Sequence, residues 1–390
     1  MFYIKVHRTV KRIISLFYYI GFWHRRDEET ARERKLQLLY LFYFCLFPLL
    51  LAAGAVTTGN QSEKTFLIEV TTITSVLQLK LWYIIWKREE ILEHLNQICD
   101  YRIVDREAFT EISKKLTDLM KFVKIFLATT YICAVHVALV APFLGTERKP
   151  FFNIPFPSDW KDTEFAFWTR FFFIATQQFL SANLVLFGAI VWYLMANCAW
   201  QYEVLGQRIS KMGEMRTTVE ESTDERPITD TERDNLYCRD LIEIIKSHNH
   251  VKRITNQLDV FLSKLFVVQL ATSSLCICAS TYSIAFFSGD NFFELLVYLT
   301  GLLYSIFDIF MIMFFANEIT LASDRLSYRL YESCWIDRRQ SIKRNVLLFG
   351  EFLVKPHQLI VLQLYPLTLD TFTRILNSAY SMFNILQNFK

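Results

Sequence analysis

The chain contains four runs of more than twenty residues without a single Asp, Glu, Lys or Arg, and these runs constrain its fold more than any other feature. The longest, from Phe171 to Tyr202, has 32 residues, and another extends from Leu36 to Ser62. A helix of about 20 apolar residues crosses the roughly 30 Å of hydrocarbon in a bilayer. Because no water is available there, the backbone must satisfy its own hydrogen bonds. Each run therefore predicts a transmembrane α-helix.

Seven segments have this character, although some carry one or two charged residues. We number these predicted spans S1 to S7, and they cover about 36–58, 65–86, 125–146, 171–202, 265–289, 292–317 and 368–389. S4 is longer than a bilayer requires, so it is expected to tilt or to project from the membrane. The predicted fold class is an all-α membrane protein with seven transmembrane helices.

The placement of Lys and Arg indicates the orientation of the spans. Nine of these residues lie in 1–35, seven in 87–121, nine in 201–261 and six in 317–345. On the alternate side there is one between S1 and S2, three in 147–161 between S3 and S4, none between S5 and S6, and one at the C-terminus. Basic residues concentrate in cytosolic loops. The N-terminus is therefore predicted to be cytosolic and the C-terminus extracellular.

This topology divides the chain into six parts. They are the cytosolic N-terminal segment 1–35, spans S1–S4 in 36–200, the cytosolic connection 201–261, spans S5–S6 in 262–317, the cytosolic segment 318–365, and S7 in 366–390. The N-terminal segment has a short apolar run and is expected to lie on the membrane as an amphipathic stretch. Apolar residues between Leu236 and Phe261 recur every three or four positions, which predicts a helix that continues into S5. Residues 208–231 are polar and are expected to form a flexible loop.

Composition and motifs argue against several other classes of protein. The net charge of +3 is too small to favour a nucleic-acid partner. The sequence has no phosphate-binding glycine loop, no Gly-x-Ser-x-Gly and no His-Glu-x-x-His, so we expect neither an enzyme nor a cofactor. No cysteine falls in a predicted outside loop, so no structural disulfide is expected. Cys276 and Cys278 are two residues apart in an apolar helix, point to different faces and have no His partner, so no metal site is expected.

Some charged residues in or beside the spans need an explanation. Glu69 and Arg170 lie near the outer ends of S2 and S4, and Lys80 lies near the inner end of S2, where snorkelling to the interface would account for all three. Asp308 lies deeper in S6. A polar tie between helices is the favoured interpretation of Asp308, and a role in an ion path is the alternative.

The outer halves of S2 to S6 combine aromatic walls with a few polar groups, a composition that suits a small, mostly hydrophobic ligand. Helix packing or lipid contact explains any one of these residues, and only their convergence would make a pocket. The candidate ligand-binding residues are Ile73, Leu77, His136, Val137, Val140, Phe173, Thr176, Gln177, Leu180, Tyr282 and Tyr304.

S7 differs from the other spans because it carries a polar stripe. Asn377, Ser381, Asn384 and Asn388 are spaced by four, three and four residues and share one helical face. Such a face does not contact lipid. It either lines water in a pore or forms hydrogen bonds with neighbouring helices.

The C-terminal motifs are the most specific feature of the sequence. In order they are Tyr331-x-x-x-Trp335, Leu347-Leu348-Phe349 followed by Lys355-Pro356, Pro366-Leu367-Thr368-Leu369, Phe372-x-x-Ile375-Leu376, and Tyr380-Ser381-x-Phe383-x-x-Leu386. Over about 60 C-terminal residues, this ordered set resembles the insect odorant receptors. The chain is similar to that family throughout its length in span number and orientation.

The resemblance implies a ligand-gated, nonselective cation channel. Such channels are tetramers of a shared coreceptor and a variable tuning subunit in the plasma membrane of olfactory sensory neurons. This chain looks like a tuning subunit because it lacks the coreceptor's long S4–S5 insertion. The implied partners are the coreceptor in a heterotetramer, a small volatile odorant, membrane lipids and permeant cations, with no nucleic acid.

The resemblance also implies roles for particular segments. Four copies of S7 would surround the pore, and the cytosolic segment before it would belong to a central anchor. By alignment with the coreceptor, the apolar gate falls at Ile385, and the pore and gate residues are Ser381, Asn384, Ile385, Asn388 and Phe389.

Three other classes of membrane protein share part of this pattern. A gustatory receptor channel of the same superfamily often carries Thr-Tyr-x-x-x-x-x-Gln-Phe in its last helix, and this pattern is absent here. A G-protein-coupled receptor would have an outside N-terminus and an Asn-Pro-x-x-Tyr-like motif in its last span. A secondary transporter would show paired broken helices in two related halves, and the sequence shows none.

Overall fold

The computed structural model describes residues 2–24, 30–136, 139, 143, 154, 163–213, 229–287, 292–361 and 365–388. It describes no side chain for 62, 286, 287, 292–297 and 386–388. The helices in the described residues are α1 (Arg8–Ile20), α2 (Ala31–Thr57), α3 (Gln61–Trp86), α4 (Arg88–Cys99), α5 (Arg106–Val135), α6 (Glu164–Ser210), α7 (Asp230–Phe287), α8 (Phe292–Glu332), α9 (Gln340–Leu353) and α10 (Leu369–Asn388).

Two short antiparallel strand pairs accompany the helices. Strand β1 (Phe2–Ile4) pairs with β2 (Tyr101–Ile103), and β3 (Ile360–Val361) pairs with β4 (Tyr365–Pro366). The first pair joins the start of the chain to the connection between α4 and α5. The second pair lies immediately before α10.

The predicted spans S1 to S7 correspond to α2, α3, α5, α6, α7, α8 and α10. Of the helices in the described residues, α2, α3, α6, α7 and α8 are long and apolar enough to cross a membrane. Helix α5 is described only to Val135, although the uncharged run of S3 continues to Thr146. Helix α10 carries a face of Asn and Ser residues.

The two longest helices extend well beyond the thickness of a bilayer. With a rise of about 1.5 Å per residue, the 47 residues of α6 span about 70 Å and the 58 residues of α7 about 87 Å. Helix α7 is continuous from Asp230, as the periodicity before S5 predicts. The expected projection of S4 is therefore present, and both helices build a layer outside the hydrocarbon. Most of the predicted loop 208–231 lies outside the described residues.

Helix α6 lies at the centre of the bundle. Its residues are buried on nearly all sides, including Phe187, Tyr193 and Tyr202, which are at most 1% exposed. A helix that is apolar all round is stable only when other helices surround it. Helices α3, α5, α7 and α8 pack around α6, while α2 packs mainly against α3.

The N-terminal segment packs against the protein more closely than the sequence suggests. The apolar face of α1, formed by Val10, Ile13 and Phe17, is buried in the main core. Gly21 ends the helix at φ +90°, and a Cβ there would lie 2.8 Å from Leu36 Cδ2. Protein therefore covers the apolar side of this amphipathic segment.

Candidate ligand cavity and polar face of the last helix

A small cavity of about 20 Å³ lies between α3, α7 and α8. A space of this size holds about one water-sized group. It is lined by Ile73, Val76, Leu77, Lys80, Gln269, Thr272, Ser273, Cys276, Tyr304 and Ser305. Helix α3 provides an apolar wall, while α7 and α8 provide most of the polar groups, so the cavity has the mixed lining of a small-molecule site.

A buried ion pair lies beside this cavity. Lys80 Nζ of α3 is 4.0 Å from Asp308 Oδ2 of α8, and the two residues are only 7% and 9% exposed. Gln269 of α7 donates a hydrogen bond from Nε2 to the same Asp308 oxygen. Three helices therefore meet at one carboxylate. Asp308 forms the interhelix tie favoured from sequence, whereas snorkelling is the wrong explanation for Lys80.

Glu69 is also buried, at 5% exposure, so snorkelling is wrong for this residue as well. Its Oε1 accepts a hydrogen bond from the Ser280 hydroxyl of α7. Gly301 of α8 lets this carboxylate approach, because a Cβ at that position would lie 3.1 Å from Glu69 Oε1. A second polar contact thus joins the same three helices on the outer side of the cavity.

The structure brings together three of the candidate ligand residues. Ile73 and Leu77 of α3 and Tyr304 of α8 all line the cavity. Ile73 and Leu77 are four residues apart and share a helical face. That face points towards α7 and α8.

The candidates on S4 lie elsewhere, against α2. The Thr176 hydroxyl is 2.5 Å from that of Tyr43, and Gln177 Nε2 donates to the Tyr43 carbonyl at 2.9 Å. The ring of Phe173 packs edge-on against that of Tyr43 at 5.6 Å. Leu180, on the same face of α6, is buried in the main core. This face of α6 therefore ties α2 to the bundle.

The remaining candidates do not line the cavity. His136 is exposed at the end of the described part of S3, and Tyr282 is half-buried on α7. Val137 and Val140 lie outside the described residues.

Sequence reasoning omitted the polar residues that the cavity brings together, Lys80, Gln269 and Ser305 among them. One signal could have pointed to the site. Lys80 and Asp308 have opposite charges and each lies inside an otherwise apolar span. Charges at such positions usually face each other inside the bundle.

Helix α10 separates its apolar and polar faces cleanly. Phe372, Ile375 and Ala379 pack against the core, and the Phe372 ring lies 5.5 Å from that of Phe310 in α8. On the opposite side, an open groove runs along the helix surface. It is lined by Asn377, Ser378, Ser381, Met382 and Ile385.

The pore and gate candidates within the described residues lie on this outward side. Ser381, Asn384 and Ile385 are exposed, and Ile385 is 57% exposed. The side chain of Asn388 and the whole of Phe389 lie outside what the structure describes. In the described part of the chain, no group of three or more His, Cys, Asp or Glu could hold a metal ion.

Comparison with known proteins identifies the family. The model of the 7tm Odorant receptor family matches residues 64–380. Odorant receptor 59a of Drosophila melanogaster is 23% identical over 388 residues, 94% of each chain. Odorant receptor 94a of the same species is 20% identical over 333 residues, covering 84% of this chain and 81% of the relative.

Solved structures share the fold. The olfactory receptor OR5 from Machilis hrabei superimposes with a TM-score of 0.80 at 16% identity, covering 98% of both chains. Its complex with eugenol gives 0.76 at 15% identity, again over 98% of both chains. These likenesses confirm the all-α fold with seven transmembrane helices. Because the family model covers most of the sequence, the chain belongs to the insect odorant receptor family.

Proposed function

We propose that this chain is the odorant-binding tuning subunit of a heteromeric, ligand-gated, nonselective cation channel. It would assemble with the odorant coreceptor in the plasma membrane of olfactory sensory neurons. The observation that carries this proposal is the outward polar face of α10, which belongs to a helix whose other face is packed against α7 and α8.

A polar helix face cannot be left against hydrocarbon, since its side chains would lose their hydrogen bonds to water. Asn377, Ser381 and Asn384 are exposed on the isolated chain. They therefore need either water or another subunit beside them. Several copies of α10 around a common axis supply both, with water along the axis.

Ile385 supports a gate on the same face. It is a large apolar side chain among polar neighbours, and it points away from its own subunit. A ring of apolar side chains closes a narrow pore by excluding water. Rotation or separation of the helices would replace this ring with the Asn and Ser face and admit hydrated cations.

The cavity between α3, α7 and α8 is the best-supported odorant site. It presents apolar walls together with Lys80, Gln269 and Tyr304 as hydrogen-bonding groups. At about 20 Å³ it is nearly closed, so a ligand must widen it. A ligand that needs the wider form binds that state more tightly and raises its population. We infer a small, neutral, volatile ligand, as eugenol is for the related receptor from Machilis hrabei.

A short packing route connects this cavity with the pore helix. Asp308 beside the cavity and Phe310, which contacts Phe372 of α10, lie two residues apart on α8. Helix α7 also contacts both the cavity and α10. Widening the cavity would therefore move the two helices that support α10.

The proposal is tested by whole-cell recording with a panel of volatile odorants. The chain is expressed alone and together with an insect odorant coreceptor, and G-protein signalling is blocked in parallel cells. We expect a rapid cation current that persists under the block and requires the coreceptor. A response that disappears with the block would contradict the channel mechanism. Current from the chain alone would contradict the requirement for a heteromer.

A further inference from the structure

The first 26 residues carry an unbalanced positive charge. They contain Lys5, Arg8, Lys11, Arg12, Arg25 and Arg26, and no Asp or Glu. Acidic residues follow directly at Asp27, Glu28 and Glu29. The other cytosolic segments also mix both signs and form ion pairs, such as Lys115 with Glu111. In contrast, among the residues that the structure describes, no acidic side chain pairs with Lys5, Arg8, Lys11 or Arg12. Within the described residues, the charge of these four side chains is therefore available to an external anion.

The fold concentrates three of these charges on one face of α1. Arg8, Lys11 and Arg12 are spaced by three and one, so they lie together in the first turns of the helix, and all three are exposed. The opposite face is buried in the protein core. Because protein already covers the apolar side, α1 can present only its basic side to its surroundings.

Contacts fix the depth of α1 at the cytosolic boundary of the membrane. At its C-terminal end, the Tyr40 hydroxyl donates to the Ile20 carbonyl at 2.9 Å, and Trp23 Nε1 donates to the Ile84 carbonyl at 2.9 Å. Tyr40 lies near the start of S1, and Ile84 lies near the end of S2.

The other end of α1 lies at a similar depth. The backbone N–H of His7 donates to the Tyr193 hydroxyl of α6 at 3.1 Å. Lys124, the last charged residue before S3, is close enough to His7 to act on it electrostatically. Ile20 contacts Tyr40 near the start of S1, and His7 lies beside Lys124 just before S3. Both ends of α1 therefore lie at the cytosolic boundary, and the helix runs along the interface for about 20 Å.

We propose that the basic face of α1, formed by Arg8, Lys11 and Arg12, binds the headgroups of anionic phospholipids in the cytosolic leaflet. This leaflet carries the negative lipids, and clusters of basic residues on amphipathic helices beside a span are attracted to them. Phosphate groups accept hydrogen bonds from guanidinium and ammonium groups in charge-assisted pairs. Protein would thus cover the apolar face of α1, and lipid headgroups would bind its basic face.

Neighbouring aromatic residues support a lipid rather than a soluble anion as the occupant. Tyr19 is 88% exposed on α1, and Trp86 is 63% exposed at the cytosolic end of α3. Trp and Tyr are enriched where a protein surface meets lipid headgroups. The basic face and these rings lie at the same boundary, so headgroups and the upper acyl chains can contact both.

Binding is measured on the purified full-length chain with a short-chain phosphatidylinositol bisphosphate, using short-chain phosphatidylcholine as the neutral lipid. The test variant is Arg8→Gln/Lys11→Gln/Arg12→Gln. The matched control is Arg233→Gln/Lys246→Gln/Arg253→Gln, which removes the same charge from exposed positions of α7 far below the spans.

We expect the test variant to bind the anionic lipid roughly a hundredfold more weakly, because each of the three basic residues near the surface contributes about 1 kcal/mol, which is about fivefold in affinity. The control should bind like the wild type, and the conservative variant Arg8→Lys/Lys11→Arg/Arg12→Lys should retain most of the affinity. Hydrogen exchange should show anionic lipid protecting residues 8–20 in the wild type but not in the test variant.

Three results would overturn the proposal. One is equal binding by the test variant and the wild type. Another is an equal loss in the α7 control, which would indicate only a general effect of net charge. The third is protection of residues 8–20 by inorganic phosphate as effectively as by the lipid, which would assign the face to soluble anions. Thermal unfolding of each variant without lipid shows whether it folds, and a misfolded test variant is replaced by Lys11→Gln alone.

Discussion

Lys80 of α3 and Asp308 of α8 lie 4.0 Å apart in the interior of the bundle, and Gln269 of α7 donates to the same carboxylate. Side chains from three separate helices therefore meet at the Asp308 carboxylate. Charges at this position are removed from both water and lipid, so each depends on the other for its stabilisation.

The pair predicts a non-additive pattern of mutant stabilities. Lys80→Met alone leaves the Asp308 carboxylate unpaired and should cost about 3–5 kcal/mol of stability. The double variant Lys80→Met/Asp308→Asn removes both charges and keeps the Gln269 contact, so most of the loss should be recovered. Thermal unfolding midpoints of the purified protein, together with surface expression, test this. Additive losses in the double variant would contradict direct coupling.

The cavity residues should control odorant selectivity. Tyr304→Phe removes one hydroxyl from the cavity lining without changing its shape much, so responses to odorants with a hydrogen-bonding group should fall about tenfold relative to hydrocarbons. The comparison variant is Thr176→Val, whose hydroxyl contacts Tyr43 of α2 instead. Dose–response curves are recorded for both variants, each expressed together with the coreceptor. A selectivity change in Thr176→Val but not in Tyr304→Phe would place the ligand beside α2.

The two faces of α10 should differ in their access to pore water. Ser381→Cys places a thiol on the outward polar face, whereas Ala379→Cys places one on the face packed against the core. A charged thiol reagent applied during odorant exposure should block current in Ser381→Cys and leave Ala379→Cys close to wild type. The unmodified chain controls for its native cysteines. Equal block of both variants would argue against the pore assignment.

The same helix predicts the effect of widening the gate. Ile385→Ala shortens the exposed apolar side chain that would close the pore, so we expect a larger basal current and altered rectification. Ile375→Ala, on the packed face, serves as the control for loss of apolar volume. If Ile385→Ala leaves basal current, rectification and ion selectivity unchanged, the gate lies elsewhere.

The turn after α1 depends on glycine. Gly21→Ala adds a Cβ at φ +90° and 2.8 Å from Leu36 Cδ2, so it should destabilise the docking of α1 by about 1–2 kcal/mol. Gly59→Ala is the matched control, because nothing lies within 4 Å of a Cβ there. Hydrogen exchange of residues 8–20 reports the difference. Equal exchange in both variants would show that the turn does not hold α1 in place.

His357, which lies between α9 and β3, makes the stability of the protein depend on pH. Burial, together with the nearby Lys252 and His248, lowers the pKa of His357 from 6.5 to about 4. The folded state therefore binds fewer protons than the unfolded state between these values, and stability contributed by neutral His357 is lost as pH falls from 6.5 towards 4. In the variant His357→Gln, the midpoint of unfolding should change less with pH between 6.5 and 4. If the midpoint of this variant changes with pH as it does in the wild type, other groups cause the pH dependence of stability.

The spans themselves could be predicted because their determinants are local. Phe171 to Tyr202 lacks charge over 32 residues, and α6 covers all of it. The periodic apolar residues from Leu241 to Leu258 predicted the continuous helix α7 for the same reason. Hydrophobicity and helical spacing act within a few turns, so they can be read without knowing the neighbours.

The composition of the cavity could be predicted only in part. The sequence grouped Phe173, Thr176 and Gln177 with Tyr304, yet the first three contact α2 while Tyr304 lines the cavity. The part of α6 within the membrane carries no charged side that would fix how the helix is rotated about its axis. The direction in which each face of α6 points is therefore decided by packing against its neighbours.

The sequence by itself determined the number of spans, their approximate limits and the polar face of α10, because each depends on the side chains of a single helix. Only the tertiary structure decided that Lys80 meets Asp308 and that α1 buries its apolar side in protein instead of lipid. Residues 80 and 308 are far apart in the chain, and no local rule selects partners across such a separation. Their pairing depends on how α3 and α8 are rotated and placed in the bundle, and that is set by the combined packing of all the helices.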